Sequence, residues 1–126
     1  MTNAQILVVE DNEKNMKLFR DVLAAASYRT LEATTGTEAV DLATKHLPDL
    51  VLMDIQLPDI DGVAALAQLR ADDRTASLPI LALTAQAMEG DRERFLAAGF
   101  DGYLSKPVDV ADFVATVRRY CDSSER

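Results

Sequence analysis

The sequence predicts an open, doubly wound α/β domain built on a five-stranded parallel sheet. Three observations carry that expectation. Short apolar runs alternate with longer, helix-periodic segments five times along the 126 residues. Three of the runs, Ile6-Leu7-Val8-Val9, Leu50-Val51-Leu52-Met53 and Pro79-Ile80-Leu81-Ala82-Leu83, are apolar throughout. Strands read that way when helices cover both faces of a parallel sheet. Polar residues then follow the runs at once: Glu10 and Asp11, Asp54, Thr84, and Lys106 shortly after Tyr103-Leu104.

The elements can be justified in order. A strand near 5–9 leads to a helix near 12–26, where Met16, Phe19, Val22, Leu23 and Ala26 recur at helical spacing. A second strand near 28–33 precedes a helix near 36–46. Thr35 and Glu38 form a capping box at its start, and Pro48 stops it. After a strand near 49–53, Asp59 and Asp61 read as loop and capping groups, and Gly62 eases the turn into a helix near 62–71. The strand near 79–83 is followed by a helix near 88–98, which Gly99 closes. A last strand near 101–104 leads to a helix near 109–121. Asp109 caps it, Phe113, Val114, Val117 and Tyr120 face inward, and Arg118 and Arg119 complement the dipole at its end. The expected organisation is one domain over residues 1–121 and a polar tail over 122–126.

Composition narrows the function classes. With 21 acidic against 13 basic residues the net charge is −8, which repels nucleic-acid phosphates, and no basic stripe offsets it. Nothing approaches the roughly 18 consecutive apolar residues of a membrane span. Met1-Thr2-Asn3-Ala4-Gln5 has neither the basic flank nor the apolar stretch of a secretory signal. The single cysteine, Cys121, cannot make an internal disulfide, so a cytoplasmic protein is expected.

In an open parallel sheet, ligands bind beyond the carboxyl ends of the strands. The polar residues named above would therefore share one rim. The first junction, Val9-Glu10-Asp11-Asn12-Glu13, lacks the glycines that bring backbone N–H groups to a pyrophosphate. It crowds carboxylates against Asp54 instead, an arrangement that favours a cation among them. Oxygen donors with room for water suit Mg²⁺, and one His and one Cys far apart argue against zinc. A carboxylate such as Asp54 can also attack phosphorus and form an acyl phosphate. The metal would neutralise one phosphoryl oxygen, the Thr84 hydroxyl with nearby N–H groups a second, and the Lys106 ammonium a third. Ala85 is small and leaves the approach open.

Together, Val8-Val9-Glu10-Asp11-Asn12, Leu52-Met53-Asp54-Ile55-Gln56-Leu57-Pro58 with Asp61-Gly62, Leu83-Thr84-Ala85 and Tyr103-Leu104-Ser105-Lys106-Pro107 resemble a response-regulator receiver domain of the CheY-like superfamily. The resemblance covers nearly the whole chain. It implies a flavodoxin-like sheet of order 2-1-3-4-5, the order that receivers share with flavodoxin itself. It implies Asp54 as phosphoacceptor, and Mg²⁺, with Mn²⁺ as a substitute, on Asp11, Asp54 and the Gln56 backbone carbonyl, with Glu10 acting through water. Thr84 and Lys106 would contact the phosphoryl group, Thr84 and the rotating aromatic Tyr103 would form the switch, and Lys106–Pro107 would be a cis peptide. Gln56 and Gln86 would influence the lifetime of the phosphoryl group.

Glu10-Asp11-Asn12-Glu13-Lys14-Asn15-Met16-Lys17-Leu18-Phe19 and the Asp54 segment are similar to the DivK type of single-domain receiver, which regulates bacterial cell division and polarity. Ala87-Met88-Glu89-Gly90-Asp91 and Ala97-Ala98-Gly99-Phe100-Asp101 look like receivers of hybrid sensor kinases, which pass phosphate on. The implied phosphodonor is a sensor histidine kinase or a histidine phosphotransfer protein. The implied output is binding of a kinase or other protein at the face made by the fourth helix, fifth strand and fifth helix, by a monomer that partners can recruit to a cell pole. No nucleic acid, membrane insertion or turnover of external substrates is expected. A haloacid-dehalogenase-type phosphohydrolase is the competing class. It would need its nucleophile on the first strand and a second Asp two residues on, where this chain has Gln56 after Asp54.

Overall fold

The computed structural model describes residues 4–85 and 91–124. Five strands, β1 (Gln5–Val9), β2 (Arg29–Ala33), β3 (Leu50–Asp54), β4 (Ile80–Thr84) and β5 (Gly102–Ser105), alternate with five helices. These are α1 (Glu13–Ala25), α2 (Gly36–His46), α3 (Gly62–Ala71), α4 (Asp91–Ala98) and α5 (Val110–Ser124). All neighbouring strands pair in parallel, in the order β2-β1-β3-β4-β5. The predicted fold class and strand order are therefore the observed ones.

Alternation along each strand sorts the core into two halves, because successive side chains leave opposite faces of the sheet. Ile6, Val8, Leu50, Leu52, Leu81 and Leu83 pack under α1 and α5, against Met16, Phe19, Leu23, Phe113 and Val117. Phe19 stacks on Phe113 with ring centroids 5.3 Å apart. Leu7, Val9, Val51, Met53, Ile80 and Ala82 pack under α2, α3 and α4, against Ala39, Ala43, Ala65, Leu66, Leu69 and Phe95. Burial on both faces is why these strands read as unbroken apolar runs. Each large side chain so buried contributes about 1.5–3 kcal/mol.

The helix boundaries follow from their caps. Asn12 caps α1, Asp61 caps α3, and the Asp109 carboxylate accepts from the Asp112 N–H at the start of α5. Thr35 caps α2 as expected, but Glu38 departs from the capping-box geometry. Its carboxylate accepts from the Thr34 N–H at 2.8 Å, one residue beyond the capping threonine. Leu47 closes α2 in the left-handed region ahead of Pro48, and Gly99 closes α4 at φ 117°.

Two expectations change. Helix α5 runs to Ser124, so residues 122–124 continue the helix rather than begin a polar tail. Arg118 and Arg119 consequently lie before the last turn, which has no basic residue to meet the dipole. A start of the fourth helix at 88 lies outside the described residues, as does Gln86.

Candidate functional site

The carboxyl ends of β1, β3 and β4 meet at the middle of the sheet, where the strand order reverses direction. Register puts Val9 beside Met53 and Asp54 beside Leu83, so the residues just past these positions share one rim. Glu10, Asp11 and Asp54 each bring a carboxylate oxygen to within 4.8 Å of the others. Glu10 and Asp54 are buried, and Asp11 is exposed.

Lys106 reaches this trio from beyond β5. Its Nζ lies 2.7 Å from Asp54 Oδ2 and 3.0 Å from Glu10 Oε1. Its backbone N–H donates to the Thr84 carbonyl at 2.7 Å, which holds the Lys106 loop against the end of β4. The peptide joining Lys106 to Pro107 is cis.

The second oxygens of Asp54 and Glu10 have partners as well. Asp54 Oδ1 accepts from the Gln56 N–H at 2.8 Å, so the Gln56 peptide adjoins the Asp54 carboxylate. Glu10 Oε2 accepts from the Asn12 N–H at 3.2 Å. Gly62, the first residue of α3, backs onto the end of β3. A Cβ there would stand 2.5 Å from the Asp54 carbonyl oxygen and 2.8 Å from Ile55 Cα, so only glycine fits.

Burial pushes the Glu10 carboxyl above the ordinary carboxylate range; the Lys106 ammonium opposes that shift and nearby Asp54 adds to it. Burial by itself would lower Lys106, but its bonds to Asp54 and Glu10 outweigh it and the ammonium is raised. One ammonium set against three carboxylates leaves a surplus of negative charge. The donors are hard oxygens with one exposed member, which fits a magnesium ion that keeps part of its water shell.

Thr84, nine-tenths buried at the end of β4, lines a cleft of about 170 Å³ with Asp54, Ile55, Gln56, Ala85 and Arg94. Tyr103 is half-buried on the α4 side, its ring 5.7 Å from that of Phe95. It borders a groove shared with Leu96 of α4 and with Thr116, Arg119 and Tyr120 of α5. Glu10, Asp11, Asp54 and Lys106 thus converge, Thr84, Ala85 and Gln56 adjoin Asp54, and Tyr103 lies apart on the neighbouring face. Sequence reasoning missed the Lys106–Glu10 pair and the position of Arg94 on the cleft. No local pattern links residues 96 apart, and Arg94 reads as an ordinary surface arginine of α4.

Residues 6–118 match the family described as the response regulator receiver domain. The chain is 48% identical over 115 residues to the polar-differentiation response regulator DivK of Brucella anthropi, covering 91% of this chain and 94% of that protein. The DivK of Brucella ovis is 47% identical over the same length. Among solved structures, the receiver domain of the Pseudomonas aeruginosa sensor histidine kinase PA1611 is 37% identical with a TM-score of 0.88, over 96% of this chain and 99% of that one. It carries a magnesium ion coordinated in its active-site cleft. The Vibrio cholerae chemotaxis protein CheY4 is 26% identical with a TM-score of 0.87, over 94% of this chain and 99% of that one.

Proposed function

The chain belongs to the response regulator receiver domain family, and from that premise we propose that it is a phosphorylation-controlled binding switch whose acceptor is Asp54. The observation that carries this reading is the convergence of three carboxylates at the strand ends, two of them, Glu10 and Asp54, bonded to the Lys106 ammonium. Asp11, Asp54 and the Gln56 carbonyl would hold Mg²⁺, or Mn²⁺ in its place, and Glu10 would act through water. The bound metal supplies positive charge to a phosphoryl oxygen.

The protein's own groups do the rest. An Asp54 carboxylate oxygen attacks phosphorus in line with the donor's phosphorus–nitrogen bond. That bond breaks, its electron pair leaves with the donor imidazole, and an acyl phosphate remains on Asp54. The Lys106 ammonium shifts from carboxylate to a phosphoryl oxygen, and the Thr84 hydroxyl donates to another. Movement of Thr84 toward the phosphoryl group frees room for Tyr103 and reshapes the α4–β5–α5 face. A partner that prefers the reshaped face shifts the equilibrium toward it; an indifferent partner would not.

A histidine kinase or histidine phosphotransfer protein is the phosphodonor in this reading, and a kinase or other protein target takes the signal at that face. The likeness to DivK supports a role in polarity or cell-division control, with recruitment to a cell pole by partners. The likeness to the PA1611 receiver favours a second reading, a receiver that relays phosphate from a kinase. Neither reading includes turnover of an external substrate, and among the described residues no helix is long and apolar enough to cross a membrane.

Labelling with radioactive acetyl phosphate in millimolar Mg²⁺ tests the reading. Wild type takes up label, while Asp54→Asn and EDTA-treated wild type do not. Undiminished labelling of Asp54→Asn would move the acceptor elsewhere.

A further inference from the structure

Asp59 sits in the loop after the acceptor strand, yet its carboxylate serves a different helix. Oδ1 accepts from the Gly36 N–H at 2.8 Å, and Oδ2 accepts from the Thr37 N–H at 3.0 Å and the Thr37 hydroxyl at 2.5 Å. The first N–H groups of a helix have no intrahelical acceptor. At α2 the local cap, Thr35, takes the Glu38 N–H, so Asp59 supplies what the two earlier positions lack.

A second contact on the same helix start is apolar. A Cβ on Gly36 would run into Ile60 Cγ1 and stand 3.0 Å from the Ile60 carbonyl oxygen, so the loop lies flat on the first turn of α2. The ends of this loop are fastened locally: the Gln56 N–H to Asp54, the Gly62 N–H to the Ile55 carbonyl, and Asp61 to α3. Asp59 and Ile60 tie its middle to α2, an element that contributes no group to the acidic site.

We propose that Asp59 is a positioning residue for the acceptor loop, fixing through α2 where the Gln56 carbonyl stands relative to Asp54 and Asp11. This rests on the reading that the Gln56 carbonyl helps hold the metal. Loss of the Asp59 carboxylate clamp leaves the middle of the loop to the apolar packing of Leu57 and Ile60, a looser hold, so a ligand set of unchanged composition binds Mg²⁺ more weakly. Partners that support a metal ligand without touching the metal commonly matter about 10–100-fold in affinity.

The test is a Mg²⁺ titration of the full chain, read by the rise in melting temperature and, separately, by initial labelling rate with acetyl phosphate. Asp59→Ala should raise the half-saturating Mg²⁺ about ten-fold in both readouts, with labelling recovering at saturating metal. Asp59→Asn, which keeps one oxygen acceptor, should fall between Asp59→Ala and wild type. Thr37→Val, which loses only the hydroxyl bond, should show a smaller rise and serves if Asp59→Ala does not fold. Arg70→Ala, at the far end of the sheet, controls for general destabilisation. The proposal is overturned if Asp59→Ala and Thr37→Val melt earlier yet half-saturate with Mg²⁺ where wild type and Arg70→Ala do. A wild type with no Mg²⁺ response at all would overturn the metal-site reading and the clamp with it.

Discussion

Lys106 holds together side chains that would otherwise repel. Its ammonium is largely buried and bonded to both Glu10 and Asp54, which gives the acid trio an internal counter-charge. Removing one partner of such a pair strands the others, at a cost of about 3 kcal/mol. Lys106→Met should therefore lower the free energy of unfolding by about that amount in EDTA, and Mg²⁺ should narrow the gap by supplying positive charge. Urea unfolding with and without Mg²⁺ checks both, and an unchanged midpoint in EDTA would count against the pairing. Asp59 gives a pH signature of opposite origin. Bonds from the Thr37 hydroxyl first, then from backbone N–H groups, lower its carboxyl below the ordinary 3.8. A depressed folded-state pKa stabilises above the unfolded value and is lost as pH falls through the folded one. The melting-temperature difference between wild type and Asp59→Ala should thus hold from pH 8 to about 5 and shrink below about 4. A difference that persists undiminished at pH 3 would exclude the carboxylate as its source.

At the scale of elements, α3 begins against the end of β3. Gly62 tolerates this because nothing projects from its Cα toward the Asp54 carbonyl. Backbone cannot yield as a flexible side chain can, so Gly62→Ala should cost about 1–3 kcal/mol and slow acetyl phosphate labelling as the end of β3 shifts. Wild-type stability and labelling in that variant would show that the junction has slack. The same junctions mark how far sequence alone reaches. β1, β3 and β4 are legible because burial on both faces demands apolar residues at every position, and their ends locate Glu10, Asp54 and Thr84 directly. Caps at Asn12, Thr35, Asp61 and Asp109 act within three residues, so short-range pattern suffices for them. Asp59 reads like one more cap of this kind, but its partners lie 22 and 23 residues away. Only the packed loop reveals which helix it serves. The end of α5 escapes the sequence because Asp122-Ser123-Ser124 is polar, and polarity at a chain end does not by itself stop hydrogen bonding along a helix.

Across the whole molecule, each end of the sheet has its own fastening. Away from the acidic site, the Arg70 guanidinium donates to the carbonyls of Ala76, Leu78 and Gly99 and to the Asp101 carboxylate. Asp101 also accepts from the Ile80 N–H at 2.7 Å, so α3 is tied to the entries of β4 and β5. Arg70→Ala leaves several carbonyls without this donor and should cost about 2–4 kcal/mol, given the strength of bonds to a charged donor. Its half-saturating Mg²⁺ should stay at the wild-type value, and a large rise would mean that the two ends are coupled. The Lys106 loop is the counterpart of this fastening at the other end. β5 is a four-residue edge strand with only β4 beside it. Its exit is laced to β4 through the Thr84 carbonyl and to the tips of β1 and β3 through one ammonium. A guest at the acid trio that draws that ammonium away would leave the exit of β5 to its backbone bond with Thr84, so events at the middle of the sheet would reach this border.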